Sequence, residues 1–363
     1  MDGIDALLCE INFDNQKLIY KELAFCNVKY DKFIEQKILK NIDELSSNVK
    51  EICELNYAIG YLNTKAVKEV SNMAKIKTEN LDYVAMHGQT IFHIPTTHLQ
   101  IGSTLQIGEP SIVSYECKTK VINNFRGADI AAKGQGAPLV PYVDKILFHN
   151  SKNNRIILNV GGISNFSIIN DKQVIGYDVG PGNVLIDLIT KKYFNLDYDD
   201  KGHLAEQGKI NQEILNKILK EDYFKMHWPK STGRELFNQE FLDKYFVEDD
   251  NPQNILRTIT ELTAQIIANE ALKFHDSKLI NEIFVCGGGA YNDFLMKLIK
   301  GKTSEKFIIK KLEDINMNSK SKECLVFAIL GYLAVNKIKV NYQSITGAKD
   351  NLVYGSITNV WGV

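Results

Sequence analysis

Three glycine clusters, each set directly behind a short apolar run, constrain this chain more than any other feature. Residues 155–160 lead into Gly161-Gly162, residues 174–177 lead through Asp178 into Gly180-Pro181-Gly182, and residues 282–286 lead into Gly287-Gly288-Gly289. Apolar runs of this length, closed by turn residues, read as buried strands. Glycines behind a strand end let a ligand approach the main chain, and in α/β sheets ligands bind at that end. Helical periodicity fills the intervals. Residues 31–50 and 53–76 look like charged surface helices, 183–194 follows the second cluster, and Ile214, Leu215, Ile218 and Leu219 mark a short amphipathic helix. Ile255, Leu256, Ile259, Leu262, Ile266 and Ile267 mark a long one, opened by Asn251-Pro252. Further strands are expected at 5–13, 81–86, 121–125 and 165–169, and an apolar helix at 323–335. Strands alternating with helices predict α/β architecture.

At 363 residues the chain exceeds one ordinary domain, and two are expected. A composition 44% hydrophobic and 24% charged excludes long disorder. The 43 basic and 44 acidic residues leave a net charge of −1, which argues against general nucleic-acid binding by phosphate neutralisation. No segment approaches the ~20 apolar residues of a membrane span, and residues 1–10 lack the basic cluster of a signal peptide. Cys9, Cys26, Cys53, Cys117, Cys286 and Cys324 form no C-x-x-C pair. They read as buried free thiols of a cytoplasmic protein rather than a zinc or redox site.

Asp178, placed before Gly180-Pro181-Gly182-Asn183 between a strand and a helix, suits a site that handles anions. The same residues equally fit a tight turn with Asp178 as a helix cap. Residues 159–165, Asn-Val-Gly-Gly-Ile-Ser-Asn, fit either a phosphate-approaching turn or an ordinary hairpin. Gly287 to Gly289 could let a flat ligand lie on the backbone, and no G-x-x-x-x-G-K-[ST] loop is present. His87-Gly88-Gln89-Thr90 sets polar side chains behind an apolar strand, with His93 and His98 following at no metal-ligand spacing. Asp129, Lys133 and Gln135 could contact a polar ligand or lie in a solvated loop. Lys230 to Glu235 is either an exposed charged turn or a pair of cations for a carboxylate. Leu99-Gln100-Ile101-Gly102 echoes Leu105-Gln106-Ile107-Gly108, too briefly for a solenoid.

Taken in order, a set of stretches resembles one family. They are His87-Gly88-Gln89-Thr90, Thr104-Leu105-Gln106-Ile107-Gly108, Phe125-Arg126 with Asp129-Ile130-Ala131, and Gly134-Gln135-Gly136-Ala137-Pro138. Asn159 to Asn165, Gly176-Tyr177-Asp178, Gly180-Pro181-Gly182-Asn183, Ser231-Thr232-Gly233-Arg234-Glu235, Cys286 to Gly289 and Thr346-Gly347-Ala348 complete it. The chain is similar over nearly its whole length to the anhydro-N-acetylmuramic acid kinases of the hexokinase/actin-like superfamily. The resemblance implies a two-lobed actin-like ATPase (ribonuclease H-like) fold whose lobes close on an interdomain cleft. It divides the chain into a first lobe of 1–124 plus 339–363 and a second of 125–338. It implies ATP and Mg²⁺ as cofactors, with no residue assigned to the metal, a small-molecule sugar substrate, a homodimer as the assembly allowed, and no nucleic-acid or membrane partner.

The implied reaction opens 1,6-anhydro-N-acetylmuramic acid with water while the γ-phosphoryl group passes to O6, in peptidoglycan recycling. The resemblance makes Asp178 the base. It places His87, Gln89, Arg126, Asp129 and Glu323 on the sugar. It places Asn159, Gly161, Gly162, Ser164, Gly180, Gly182, Gly287, Gly288 and Gly289 on the nucleotide. The sequence opens at Met1-Asp2-Gly3-Ile4-Asp5, inside the family's first phosphate loop. The implied consequence is that the family's first strand and most of that loop are missing, with Asp2 and Asp5 on a frayed end and a loss of stability and activity. Two other readings stay open on these residues: an inactive remnant that binds sugar or nucleotide, and an actin-like kinase for another sugar.

Overall fold

The computed structural model describes all residues except 1–2, 15–16, 97–101, 172–173, 229, 248–249, 304 and 363. Asp2, His98 and the Leu99–Ile101 part of the short echo therefore lie outside the described residues. Twelve strands are described in chain order. The first six are β1 (Gly3–Asp14), β2 (Lys17–Lys29), β3 (Val84–Ala85), β4 (Gln89–Ile94), β5 (Ser103–Ile107) and β6 (Val121–Asn123). Then come β7 (Asn153–Val160), β8 (Ile163–Ile169), β9 (Val174–Pro181), β10 (Ile280–Cys286), β11 (Ile308–Lys311) and β12 (Ser356–Thr358). The chain divides into two compact units, 1–147 with 320–363, and 148–319.

The boundaries differ from those expected at 124 and 339. The helix Lys322–Val335 packs on β1, β3 and β6. Its Lys322 pairs with buried Asp144 of the helix Val140–Phe148 at 2.9 Å. Both segments consequently belong with the first unit. The glycine-rich run after Arg126, expected as a break between lobes, is an internal loop of that unit, laced to the C-terminal segment through Asp129, Thr346 and Tyr354.

In the first unit one long helix, Val49–Met73, serves three apolar clusters. Leu55 and Ile59 meet Ile38, Ile91 and Ile107. Val67 meets Met86, Val113 and Val121, and Ala66 and Val70 meet Cys26 and Val28. The 31–50 segment does not form one helix. It makes Lys32–Asn41, then a turn, because Asn48 caps the next helix by accepting from the N–H groups of Lys50 and Glu51. β1 and β2 pair antiparallel, and β12-β6-β3 form a separate sheet. Asp5 sits inside the β1–β2 ladder and accepts from Asn27 at 2.8 Å. A cavity of about 1030 Å³ is lined by the consecutive residues of β1 and of β3, with Asn63 and Ser71 from one helix and Phe327 from another. The Asn63 Nδ2 and Ser71 Oγ atoms are buried without partners.

The second unit holds one sheet, in the order β11-β10-β7-β8-β9. β7, β10 and β11 run parallel, whereas β7, β8 and β9 form an antiparallel meander. This order and these directions define a ribonuclease H-like half. Ile156, Leu158 and Val160 point their side chains into a core shared with Leu185, Ile259 and Leu262. The helix Pro252–Leu272 begins where Asn251-Pro252 predicted, with Asn251 accepting from the Asn254 N–H. β9 runs on through Asp178 to Pro181, so Asp178 is a strand residue and not a helix cap.

The cysteines are free thiols, but only Cys26, Cys117 and Cys286 are buried. Cys53 is exposed, and Cys9 and Cys324 are partly so. No described helix is long and apolar enough to cross a membrane.

Candidate active site

In the second unit the β7–β8 turn and the end of β9 are laced together. The N–H groups of Gly182 and Val184 donate to Gly162 O, and that of Asn183 donates to Gly161 O, at 2.8–3.0 Å. The turn's carbonyls thus satisfy the N–H groups that lead into the helix Val184–Phe194 and that of its first residue. A side chain at Gly182 would strike Gly161 O, and one at Gly180 would strike Ile266 and Phe224. Both glycines serve close packing. Gly161, Gly162 and Gly288 differ: a Cβ at any of them would meet nothing closer than 3.5 Å. Gly287 has φ +81°, where other residues are strained, and Gly289 abuts Val160. Asn159, at the end of β7, lies beside Gly287 and accepts from the Cys286 thiol. The glycines therefore sort into packing positions and three open ones. Ser164 adds a fully buried Oγ without a partner. An open glycine face is a fit setting for phosphate oxygens, and Ser164 Oγ lies behind it against Gly182.

Asp178 lies in β9 and is held from the 230–232 segment. Ser231 Oγ and the Thr232 N–H both donate to Oδ2 at 3.0 Å. Its main-chain N–H donates to Lys230 O at 3.1 Å, and its carbonyl accepts from the Tyr223 hydroxyl at 2.8 Å. Oδ1 accepts from no described residue. Burial raises the carboxyl above the ordinary aspartate range, against the Thr232 and Ser231 donors that lower it, while Glu235 adds to the rise. A carboxylate fixed by one oxygen, raised in basicity and open at the other, can accept a proton from water. The Thr232 Oγ1 atom is buried without a partner among the described residues.

The first unit gathers His87, Arg126, Asp129 and Glu323. Arg126 Nε donates to His87 Nε2 at 3.1 Å, and Nη1 donates to Gly136 O at 2.8 Å. His87 must then be neutral, with Nδ1–H donating to Gly88 O at 2.8 Å. Burial, with the Arg126 charge, pushes its pKa down to about 4. His87 is therefore a poor base at neutral pH. Burial also lowers Arg126, against the attraction of Glu323 and Asp129. Glu323 is exposed on the β1–β3 cavity, and desolvation raises its carboxyl, opposed by Arg126 and helped by Asp5. Gln89 starts β4 and donates to Thr90 O at 3.0 Å.

Asp129 is fully buried. Its Oδ1 accepts from Thr346 Oγ1 at 2.6 Å and Tyr354 OH at 2.8 Å, and its Oδ2 accepts from the Gly136 N–H at 2.6 Å. This carboxylate braces the loop that receives Arg126. Among its neighbours in the sequence reading, Gln135 donates to Thr96 O, and His93 pairs with Thr104 Oγ1.

Sequence reasoning missed three residues around Asp178, namely Tyr223, Lys230 as a buried group, and Glu270, and a fourth titratable group of the same unit, Asp187. Asp187 stands in the first turn of Val184–Phe194, and burial pushes its carboxyl up to about 6, with Arg234 opposing and Asp197 reinforcing. Its position one turn after Pro181-Gly182 was the available signal. Lys230 belongs to the stretch that reads either as an exposed charged turn or as two cations for a carboxylate, and its side chain is 1% exposed.

A ribonuclease H-like unit with open glycine turns and a raised carboxylate within β9 defines an α/β enzyme of the phosphate-handling kind. The profile of the family "Anhydro-N-acetylmuramic acid kinase" matches residues 1–360. The anhydro-N-acetylmuramic acid kinase of Clostridioides difficile (strain 630) is 40% identical over 366 residues, covering 99% of this chain and 95% of that protein. That of Bacillus cereus (strain ATCC 10987 / NRS 248) is 41% identical over 370 residues, covering 99% and 96%. Among solved structures, the Acidaminococcus fermentans (R)-2-hydroxyglutaryl-CoA dehydratase component A aligns at TM-score 0.43 and 10% identity, over 92% of this chain and 100% of that one. The chain belongs to the anhydro-N-acetylmuramic acid kinase family.

Proposed function

We propose that this protein is an ATP-dependent kinase acting on 1,6-anhydro-N-acetylmuramic acid. Water adds at C1, the C1–O6 bond of the anhydro bridge breaks, and O6 receives the γ-phosphoryl group. The products are N-acetylmuramic acid 6-phosphate and ADP, in cell-wall peptidoglycan recycling. Family membership supports the substrate class. The observation that carries the mechanism is the Asp178 carboxylate, held on Oδ2 and free on Oδ1.

In this reading Asp178 Oδ1 takes the proton of the attacking water as its oxygen bonds to C1. An inverting glycosidase needs a second acid for the leaving oxygen. Here the leaving O6 is taken up by phosphorus, so one carboxylate suffices. ATP supplies the electrophilic phosphoryl group. Gly161, Gly162 and Ser164 are assigned to its phosphates and Gly287 to Gly289 to its adenosine. Asn159, Gly180 and Gly182 hold those turns in shape. Mg²⁺ is assigned to the phosphates themselves, as is usual for a cation that keeps most of its water. His87, Gln89, Arg126 and Glu323 are assigned to the sugar side, with neutral His87 orienting Arg126 through Nε2 and Asp129 bracing Arg126's loop.

Asp178→Asn keeps the shape, and its amide oxygen can still accept from Ser231 and Thr232, but an NH₂ group replaces the open basic oxygen. Turnover is expected to fall by about 10²–10⁴-fold or more, with ATP affinity nearly unchanged in calorimetry. Product formed by the variant at the wild-type rate would remove Asp178 from this role.

A further inference from the structure

The most deeply buried cation of the second unit lies one residue from the segment that grips Asp178. The Lys230 side chain is 1% exposed, and its Nζ lies 3.4 Å from Glu270 Oε1, whose own side chain is 7% exposed. Nζ also donates to Tyr223 O at 3.4 Å and stands over the Tyr223 and Tyr177 rings, at 4.9 and 5.8 Å from their centroids. Glu270 belongs to the helix Pro252–Leu272, and its Oε2 accepts from the Tyr177 hydroxyl at 3.0 Å. Lys273, about half exposed, reaches Oε1 at 2.8 Å. A buried ammonium is costly to desolvate, and here it loses no charge partner only because Glu270 faces it.

The contacts close a ring. Lys230 Nζ binds the Tyr223 carbonyl, the Tyr223 hydroxyl binds the Asp178 carbonyl, and the Asp178 N–H binds the Lys230 carbonyl. The two residues after Lys230 supply both donors to Asp178 Oδ2. We infer that Lys230 is a positioning residue: its ion pair with Glu270 anchors the 230–232 segment to the core helix, and so decides which Asp178 oxygen is occupied and which faces water. The inference rests on the proposed role of Asp178 as the base.

The groups around that carboxylate are Ser231, Thr232, Tyr223 and Glu235, with Lys230, Glu270 and Lys273 behind them. The Ser231 and Thr232 donors lower the Asp178 pKa against the rise from burial. A slackened anchor removes that lowering, so the carboxyl must titrate at higher pH.

The test is Lys230→Met, which keeps the stem and removes the ammonium, with Lys230→Arg as the charge-preserving control. Turnover is expected to fall about 10–100-fold, as for a small misplacement of a reacting group, with the sugar KM changed little. The acidic limb of the kcat profile, and the Asp178 carboxyl titration followed by ¹³C NMR, should both move to higher pH. Lys230→Arg should restore part of each. An unmoved Asp178 titration in folded Lys230→Met would overturn the inference. If that variant does not fold, Glu270→Gln carries the same titration test. Asp178→Asn, run alongside, separates the two ideas. Full turnover there defeats the base reading, whereas the NMR titration judges Lys230 independently of turnover.

Discussion

Asp187 carries the clearest pH signature in the second unit. Its folded pKa of about 6 lies above the roughly 3.9 of an unfolded chain. The folded state therefore binds the proton more tightly. The resulting stability is fully present below the unfolded value and is lost as pH rises through 6. Asp187→Asn should raise the unfolding free energy by up to about 3 kcal/mol at pH 8, and by about half of that at pH 5. Urea melts at the two pH values check this, and an equal gain at both would show an ordinary carboxyl. Asp178 was legible in the sequence because a carboxylate before two glycines is a local pattern. Lys230, Tyr223 and Glu270 were not. The bonds that tie Tyr223 to Asp178 and Lys230 to Glu270 span 45 and 40 residues, and burial of a lysine is decided by what packs over it.

At the scale of elements, the three glycines behind β10 make different demands. Gly289 has Val160 where its Cβ would go, whereas Gly288 has open space up to Asn183 Nδ2 at 3.6 Å. Gly289→Ala is expected to cost about 1–3 kcal/mol through overpacking. Gly288→Ala should leave the melting temperature nearly unchanged and weaken ATP binding instead. Melting curves and ATP titrations of both variants decide it, and a reversed pattern would contradict the assignment of Gly288 to the ligand face. The clusters at Gly161-Gly162 and Gly287 to Gly289 follow directly on the ends of β7 and β10, since strand, turn and glycine are neighbours in sequence. The 31–50 helix was misjudged because its interruption depends on a capping Asn48 within a continuous polar pattern. β9 was expected to stop at Tyr177, but its pairing with β8 continues to Pro181.

At the scale of the whole molecule, the two units differ in how their strands are paired. β7 has partners on both sides, β8 and β10. Among the described residues β3 pairs with β6 alone, the N–H groups of Val84 and of Met86 just after it donating to Lys120 O and Ile122 O, while Ala85 lines the β1–β3 cavity. Amides of Ile156 to Leu158 should therefore exchange with solvent on the order of a hundredfold more slowly than that of Ala85. Exchange followed by mass spectrometry measures this, and equal protection would show that the β3 edge is covered in solution. The unit boundary was hard to read because the chain crosses between units at 147/148 and 319/320 without a shift in composition.

The central claim is that water is joined to C1 of the anhydro-sugar, with Asp178 as its base, while phosphorus goes to O6. Running the reaction in ¹⁸O-labelled water and weighing the products by mass spectrometry tests it most directly. The account predicts one ¹⁸O on the anomeric carbon of the sugar phosphate, none in the phosphoryl group, and almost no product from Asp178→Asn. Label in the phosphoryl group, or labelled sugar formed by Asp178→Asn at the wild-type rate, would contradict it.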